Sequence, residues 1–209
     1  MRVWFALFFV LVRISSPVAT DAQQAPVDPA ATESALKGER LLFDLPKNFY
    51  KAYHSDRIGA LTEFVPSGET FENWAEMITI QVFPGLQAEP VSFLQTIEHR
   101  YTKTCPGFRS SPANVTMQVN GYAVSTRLFR CPLNSATGKP ETTVFRIIKG
   151  NSALYSVQYA WRSMATNKEV VDAVPILGSA KVCDPRVSGH PCPSVDVPAF
   201  AARPEPTAP

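Results

Sequence analysis

The stretch from Val115 to Arg162 constrains the fold more than any other part of the chain. Asn120-Gly121 is a pair in which both residues tolerate positive φ, as a two-residue hairpin turn requires, and it joins Val115–Val119 to Tyr122–Cys131. A loop over residues 133–141 leads to Thr142–Lys149, and Gly150-Asn151 turns that strand back into Ala153–Arg162. In the last strand Tyr155, Val157, Tyr159 and Trp161 alternate with Leu154, Ser156, Gln158 and Arg162. A period of two with one wetter side is the mark of antiparallel strands.

Upstream, Leu41–Pro46 reads as a short strand stopped by proline, Phe49–His54 as its hairpin return, and Gly59–Val65 as a third strand. Trp74–Phe83 is a fourth, with Trp74, Ile78, Ile80 and Val82 on one face and Thr79 and Gln81 on the other. Between these strands and the later hairpins, residues 88–103 read as a helix with Pro90 in its first turn, where a missing N–H costs nothing. At 100° per residue Phe93, Leu94, Ile97 and Tyr101 form one stripe, with Glu98 and His99 turned away from it. A second helix opens at Thr166-x-x-Glu169, a capping box, and runs through Val170, Val171, Val174 and Leu177 with a kink at Pro175. Strands and helices in this order predict an α+β domain, an antiparallel β-sheet with two helices packed on it.

The ends of the chain point to export. A short basic start, an apolar run Val3–Val12 and then Arg13 have the proportions of a signal-peptide core, well short of the roughly 20 residues a membrane span needs. Residues 1–22 are expected to be a signal peptide cut after Ala22, with Ala19 the alternative; an uncleaved anchor is the competing reading. Residues 23–38 read as a flexible lead-in, 39–192 as one domain, and 193–209, rich in Pro and Ala, as a disordered tail. Cleavage would leave no transmembrane segment, and would take the charge from 20 basic against 18 acidic residues to 18 against 17. A near-neutral chain without a basic run has no electrostatic footprint for nucleic acid.

Four cysteines in an exported chain favour disulfides. Pairing of neighbours, Cys105 with Cys131 and Cys183 with Cys192, closes the shorter loops. The competing reading is zinc on Cys183, His190 and Cys192, which lacks the compact cysteine pair and the fourth ligand of a structural site.

With these elements in place, the opening Phe43-Asp44-Leu45-Pro46 and the layout from Leu41 to Val182 resemble the Mog1/PsbP-like α+β sandwich. Glu72-Asn73-Trp74-Ala75-Glu76-Met77-Ile78-Thr79 is also similar to a segment of uncharacterised exported bacterial proteins. The resemblance implies a binding or assembly accessory of a larger complex, and it brings no catalytic or ligand motif with it.

Gly-x-Ser-x-Gly, both phosphate-cradling glycine motifs and Cys-x-x-Cys are missing, and His54, His99 and His190 match no triad or metal spacing. No cofactor is expected. The residues that remain as binding candidates are Glu69, Glu72 and Trp74, together with Arg146 and Arg162. The acids, with Glu76, would supply paired carboxylates for acid/base work, and Trp74 reads first as a core anchor, with an aromatic ligand platform beside the acids as the alternative. The two arginines would form an anion or partner patch if they share the open face of the sheet. Asn114-Val115-Thr116 is a glycosylation sequon, meaningful only in a eukaryotic secretory pathway.

These readings give a non-catalytic binding or assembly module of the periplasm, with an envelope protein as partner. One alternative is a small-ligand carrier or hydrolase using the cleft between the sheet and helix 88–103, with Glu69, Glu72 or Glu76 as its carboxylates. The other is a secreted protein acting on other cells.

Overall fold

At the Asn120-Gly121 turn both residues have positive φ, 52° and 79°, so the backbone twist of the turn matches that of the strands it joins. The computed structural model describes residues 38–57, 59–112 and 116–193. The expected signal peptide, residues 23–37 of the lead-in, the Asn114 sequon and the tail from residue 194 lie outside the described residues.

The elements, in order, are β1 (Arg40–Leu42), β2 (Phe49–Ser55), β3 (Ala60–Pro66), β4 (Glu76–Pro84), α1 (Pro90–Thr104), β5 (Arg109–Ser110), β6 (Met117–Val119), β7 (Tyr122–Asn134), β8 (Lys139–Lys149), β9 (Ala153–Trp161), α2 (Asn167–Gly178) and β10 (Lys181–Cys183). The main sheet is antiparallel in the order β2-β3-β4-β9-β8-β7-β5, with β6 also on β7. The α+β class and the antiparallel sheet with two helices are as the sequence indicates. The two helices lie on opposite faces.

α1 buries the stripe Phe93, Leu94, Ile97 and Tyr101 against Phe129, Phe145, Ile147 and Leu154. The Cys105–Cys131 disulfide ties the end of this helix to β7, with 5.7 Å between Cα atoms. On the other face, Ile78, Ile80, Val157, Tyr159 and Trp161 join Ala173 and Leu177 of α2. The capping box forms: Thr166 Oγ1 accepts from Glu169 N at 3.2 Å, and Glu169 Oε2 accepts from Thr166 N at 2.6 Å.

Four local expectations need correction. β1 does not form a hairpin with β2. It pairs with β10, Leu41 opposite Val182, because that register buries both side chains and lets the Glu39 carboxylate accept from Asn151 N at 2.6 Å and Ser152 N at 3.0 Å. The α2 stripe is Val170, Ala173 and Leu177, while Val171 and Val174 are 65% and 55% exposed, since the helical period turns them away from the sheet. Glu98 turns inward and takes Arg127 at 2.6 Å and 3.0 Å, which is how that arginine is buried. The 133–141 loop shortens to a turn because β7 and β8 continue their pairing to Asn134 and Lys139.

Cys183–Cys192 closes the segment after β10, with 5.0 Å between Cα atoms. Both cysteines of the zinc reading are therefore in a disulfide. His190 stacks on Tyr122 at 4.0 Å, with Nδ1 2.9 Å from the Asn120 carbonyl oxygen.

Candidate functional site

Alternation along the strands fixes the side chains that α1 can cover. α1 packs on β7 and β8, so the same sheet face stays open over β3, β4 and β9. There Glu63, Thr79 and Gln158 stand side by side in register, and Leu61, Gln81 and Ser156 form the next row. These side chains floor a trough of about 230 Å³. Phe71 and Trp74 from the β3–β4 connection wall one side, and Phe83 with Phe93 and Ile97 of α1 wall the other. The walls are braced by ring contacts, Tyr53 on Phe71 at 4.8 Å and Phe83 on Phe93 at 5.3 Å. Gly59 lines the same trough with φ of 71°, and a Cβ there would lie 2.0 Å from the Val82 carbonyl oxygen, so the chain can pass only as glycine.

Glu63 is the chemically distinctive floor residue. Burial pushes its carboxyl up to about 7, with the Thr79 hydroxyl pulling weakly the other way. Its Oε2 is buried and has no hydrogen-bond partner. A carboxyl so placed holds its proton through mildly acidic conditions and presents it as a donor. At the other end the Arg162 Cζ sits over the Trp74 ring, 4.2 Å from its centroid, and the guanidinium donates from one terminal nitrogen to the Glu72 carbonyl at 3.0 Å. Burial lowers the pKa of this guanidinium, with Glu141 opposing. Glu141 is itself held by Tyr101 at 2.7 Å and by Thr143 and Asn134 at 3.1 Å each.

Of the residues singled out in the sequence, the trough brings together Trp74 and Arg162. Trp74 is half-buried on the wall and is not part of either core cluster, contrary to the core reading. The Glu69 carboxylate accepts from Ala75 N at 2.7 Å and Glu76 N at 3.4 Å and so shapes the connection that carries Trp74. Glu72 is exposed and contributes its backbone carbonyl. Glu76 accepts from the Tyr159 hydroxyl at 2.5 Å, on the α2 side. Those three carboxylates therefore do not converge on the cleft. Arg146 is buried on the α2 face, its Nε 3.3 Å from the Ala180 carbonyl oxygen. It sits opposite Val157 in register, whereas Arg162 shares the parity of Gln158, so the two arginines form no common patch.

Sequence reasoning passed over Glu63 and Glu141. The available signal for Glu63 was its position between Leu61 and Val65 on one side of a strand, an acid where the alternation asks for an apolar residue. Glu141 was hidden in residues read as a loop.

No family model matches the chain, and no curated protein matches it. Solved structures do. LpqN, involved in cell envelope biogenesis of Mycobacterium tuberculosis, is 14% identical over 70% of this chain and 85% of its own, with a TM-score of 0.45. The Saccharomyces cerevisiae Ran-binding protein Mog1p is 12% identical over 65% of this chain and 77% of its own, with a TM-score of 0.42. A cyanobacterial PsbP from Synechocystis is 9% identical over 69% of this chain and 92% of its own, with a TM-score of 0.43. Mog1 and PsbP share the α+β layout that the sequence resembles. At these scores the likeness says nothing about the site, whose chemistry stands on its own residues.

Proposed function

We propose that this chain is an exported, non-catalytic binding module of the cell envelope, and that its ligand seats in the trough beside α1. The observation that carries this reading is the half-covered sheet face, where a polar floor containing a partnerless carboxyl oxygen lies between aromatic walls. Pockets that bind small molecules combine mainly apolar linings with a few placed polar groups in this way. Two disulfides and the basic-apolar N-terminal segment support export, because such bridges persist in oxidising compartments. No helix among the described residues is long and apolar enough to cross a membrane. The ligand is either a free molecule or a group presented by an envelope partner.

The test is native mass spectrometry on the chain recovered from its own envelope without detergent, after fractionation into periplasm and medium. The proposal expects a retained mass that Trp74→Ala releases while the thermal unfolding temperature falls by no more than about 4 °C. A retained mass indifferent to Trp74→Ala would place binding elsewhere.

A further inference from the structure

Resting on the trough as the binding site, we infer that its ligand is a compact amphipathic anion, an apolar or aromatic body bearing a carboxylate, sulfonate or phosphate that Arg162 receives. Arg162 has the attributes of a receiving cation. Its guanidinium is oriented on one face by the Trp74 ring at 4.2 Å and at one nitrogen by the Glu72 carbonyl at 3.0 Å. Among the described residues no carboxylate lies within ion-pair distance of it. Arg127, on the same sheet face beneath α1, instead holds Glu98 at 2.6 Å. Glu141 is close enough to act on Arg162 through space, but Tyr101, Thr143 and Asn134 occupy its oxygens. A planar guanidinium fixed in this way and short of a counter-ion matches the two oxygens of an acidic group.

The rest of the trough limits the body of the ligand. At about 230 Å³ it is smaller than the pockets of ~300–1,000 Å³ that take drug-sized molecules, so it fits a short, flat ring system better than a long flexible chain. Phe71, Phe83 and Phe93 offer that body aromatic surface. Glu63 marks the far end. Arg162 N is bonded to the Ala75 carbonyl, and Ala75, the residue before β4, is four residues from Thr79, the register partner of Glu63, a span of roughly 13 Å. The charged groups sharing the trough with Glu63 are Arg100 from α1, Glu141 from β8 and Arg162, while β2 and β4 face it with uncharged Ser55 and Thr79. Neutral Glu63 donates a hydrogen bond to the ligand. Ionised Glu63 brings a charge of the ligand's own sign into the same small space.

The test uses the oxidised chain of residues 23–209 and two fluorescent probes of similar shape, anilinonaphthalene sulfonate and uncharged phenylnaphthylamine. At about pH 6 the sulfonate should bind at least ~10-fold tighter than the amine. Arg162→Gln should remove that preference without moving the unfolding temperature. Between about pH 6 and pH 8 sulfonate affinity should fall several-fold in the native chain and stay flat in Glu63→Gln. Equal affinities in the native chain, or a preference that survives Arg162→Gln, overturns the anion. If the amine still binds and Trp74→Ala abolishes that binding, the trough itself stands. Failure of both probes to bind overturns the anion and the trough together.

Discussion

The two faces of the main sheet are built from the same strands and have different outcomes. On the α2 face the alternating residues are large and apolar, and the buried polar groups among them are answered: Tyr155 donates to Glu39 at 3.2 Å, Tyr159 to Glu76 at 2.5 Å, and Arg146 to the Ala180 carbonyl at 3.3 Å. The Tyr122 hydroxyl is the exception, close to Glu39 yet without hydrogen-bond geometry to it. On the α1 face Phe129, Phe145, Ile147 and Leu154 are capped by the helix, and beyond its reach the floor turns to Thr79, Gln81, Ser156 and Gln158. The period of two assigns side chains to faces. The length and placement of the helix then decide whether a stretch of face becomes core or site.

Paired substitutions sharpen this contrast. Trp161, only 3% exposed on the closed face, should cost about 3–5 kcal/mol of unfolding free energy when changed to Ala, measured by urea denaturation. Trp74→Ala, on the wall of the trough, should cost less than about 1 kcal/mol and lose probe binding. If both tryptophans were equally costly to remove, the distinction between the faces would fail.

The disulfides come next in size. The Cys105–Cys131 bridge under α1 spans 26 residues and Cys183–Cys192 spans nine, which in the chain-entropy model gives about 3.5 and about 2.6 kcal/mol. Replacing each pair with Ala and comparing urea midpoints checks the order. Removal of the first should also loosen the end of α1 and weaken probe binding, and removal of the second should leave the trough intact.

Glu63 gives a smaller, pH-dependent effect. Its carboxyl is neutral in both folded and unfolded chains below about pH 4.5. From there to about 7 the unfolded chain releases the proton and the folded chain keeps it, so stability falls as pH rises through that window. The loss is on the order of 2–3 kcal/mol, and Glu63→Gln should flatten it in unfolding curves taken across the range. A native chain whose stability is level or rising there would contradict a buried, proton-holding Glu63. The smallest effect expected is on stability in Arg162→Gln, within about 0.5 kcal/mol, because the ring contact and one carbonyl bond are all it holds in place.

The contrast also explains what could be read from the sequence. The strands of the second half, both helices, the capping box and the cysteine pairing were legible because each rests on local spacing or turn chemistry. The partner of β1 was not, since Leu41 meets Val182 across the whole domain and nothing near Leu41 encodes that choice. The site was half legible. Trp74 and Arg162 stood out as residue types, but their meeting depends on a bend clamped by the Glu69 carboxylate, and the separation of Arg146 from Arg162 depends on strand register. Glu63 breaks the apolar alternation between Leu61 and Val65, but a carboxylate in a strand reads as a solvated one until the depth of the trough is known.

The most direct test is a titration of the isotope-labelled chain with anilinonaphthalene sulfonate, followed by backbone amide shifts. The two-face account predicts changes concentrated at Glu63, Trp74, Gln158 and Arg162, with Tyr155, Ala173 and Leu177 on the closed face unmoved. Changes centred on the exposed Val171 and Val174 of α2, with the trough silent, would contradict it.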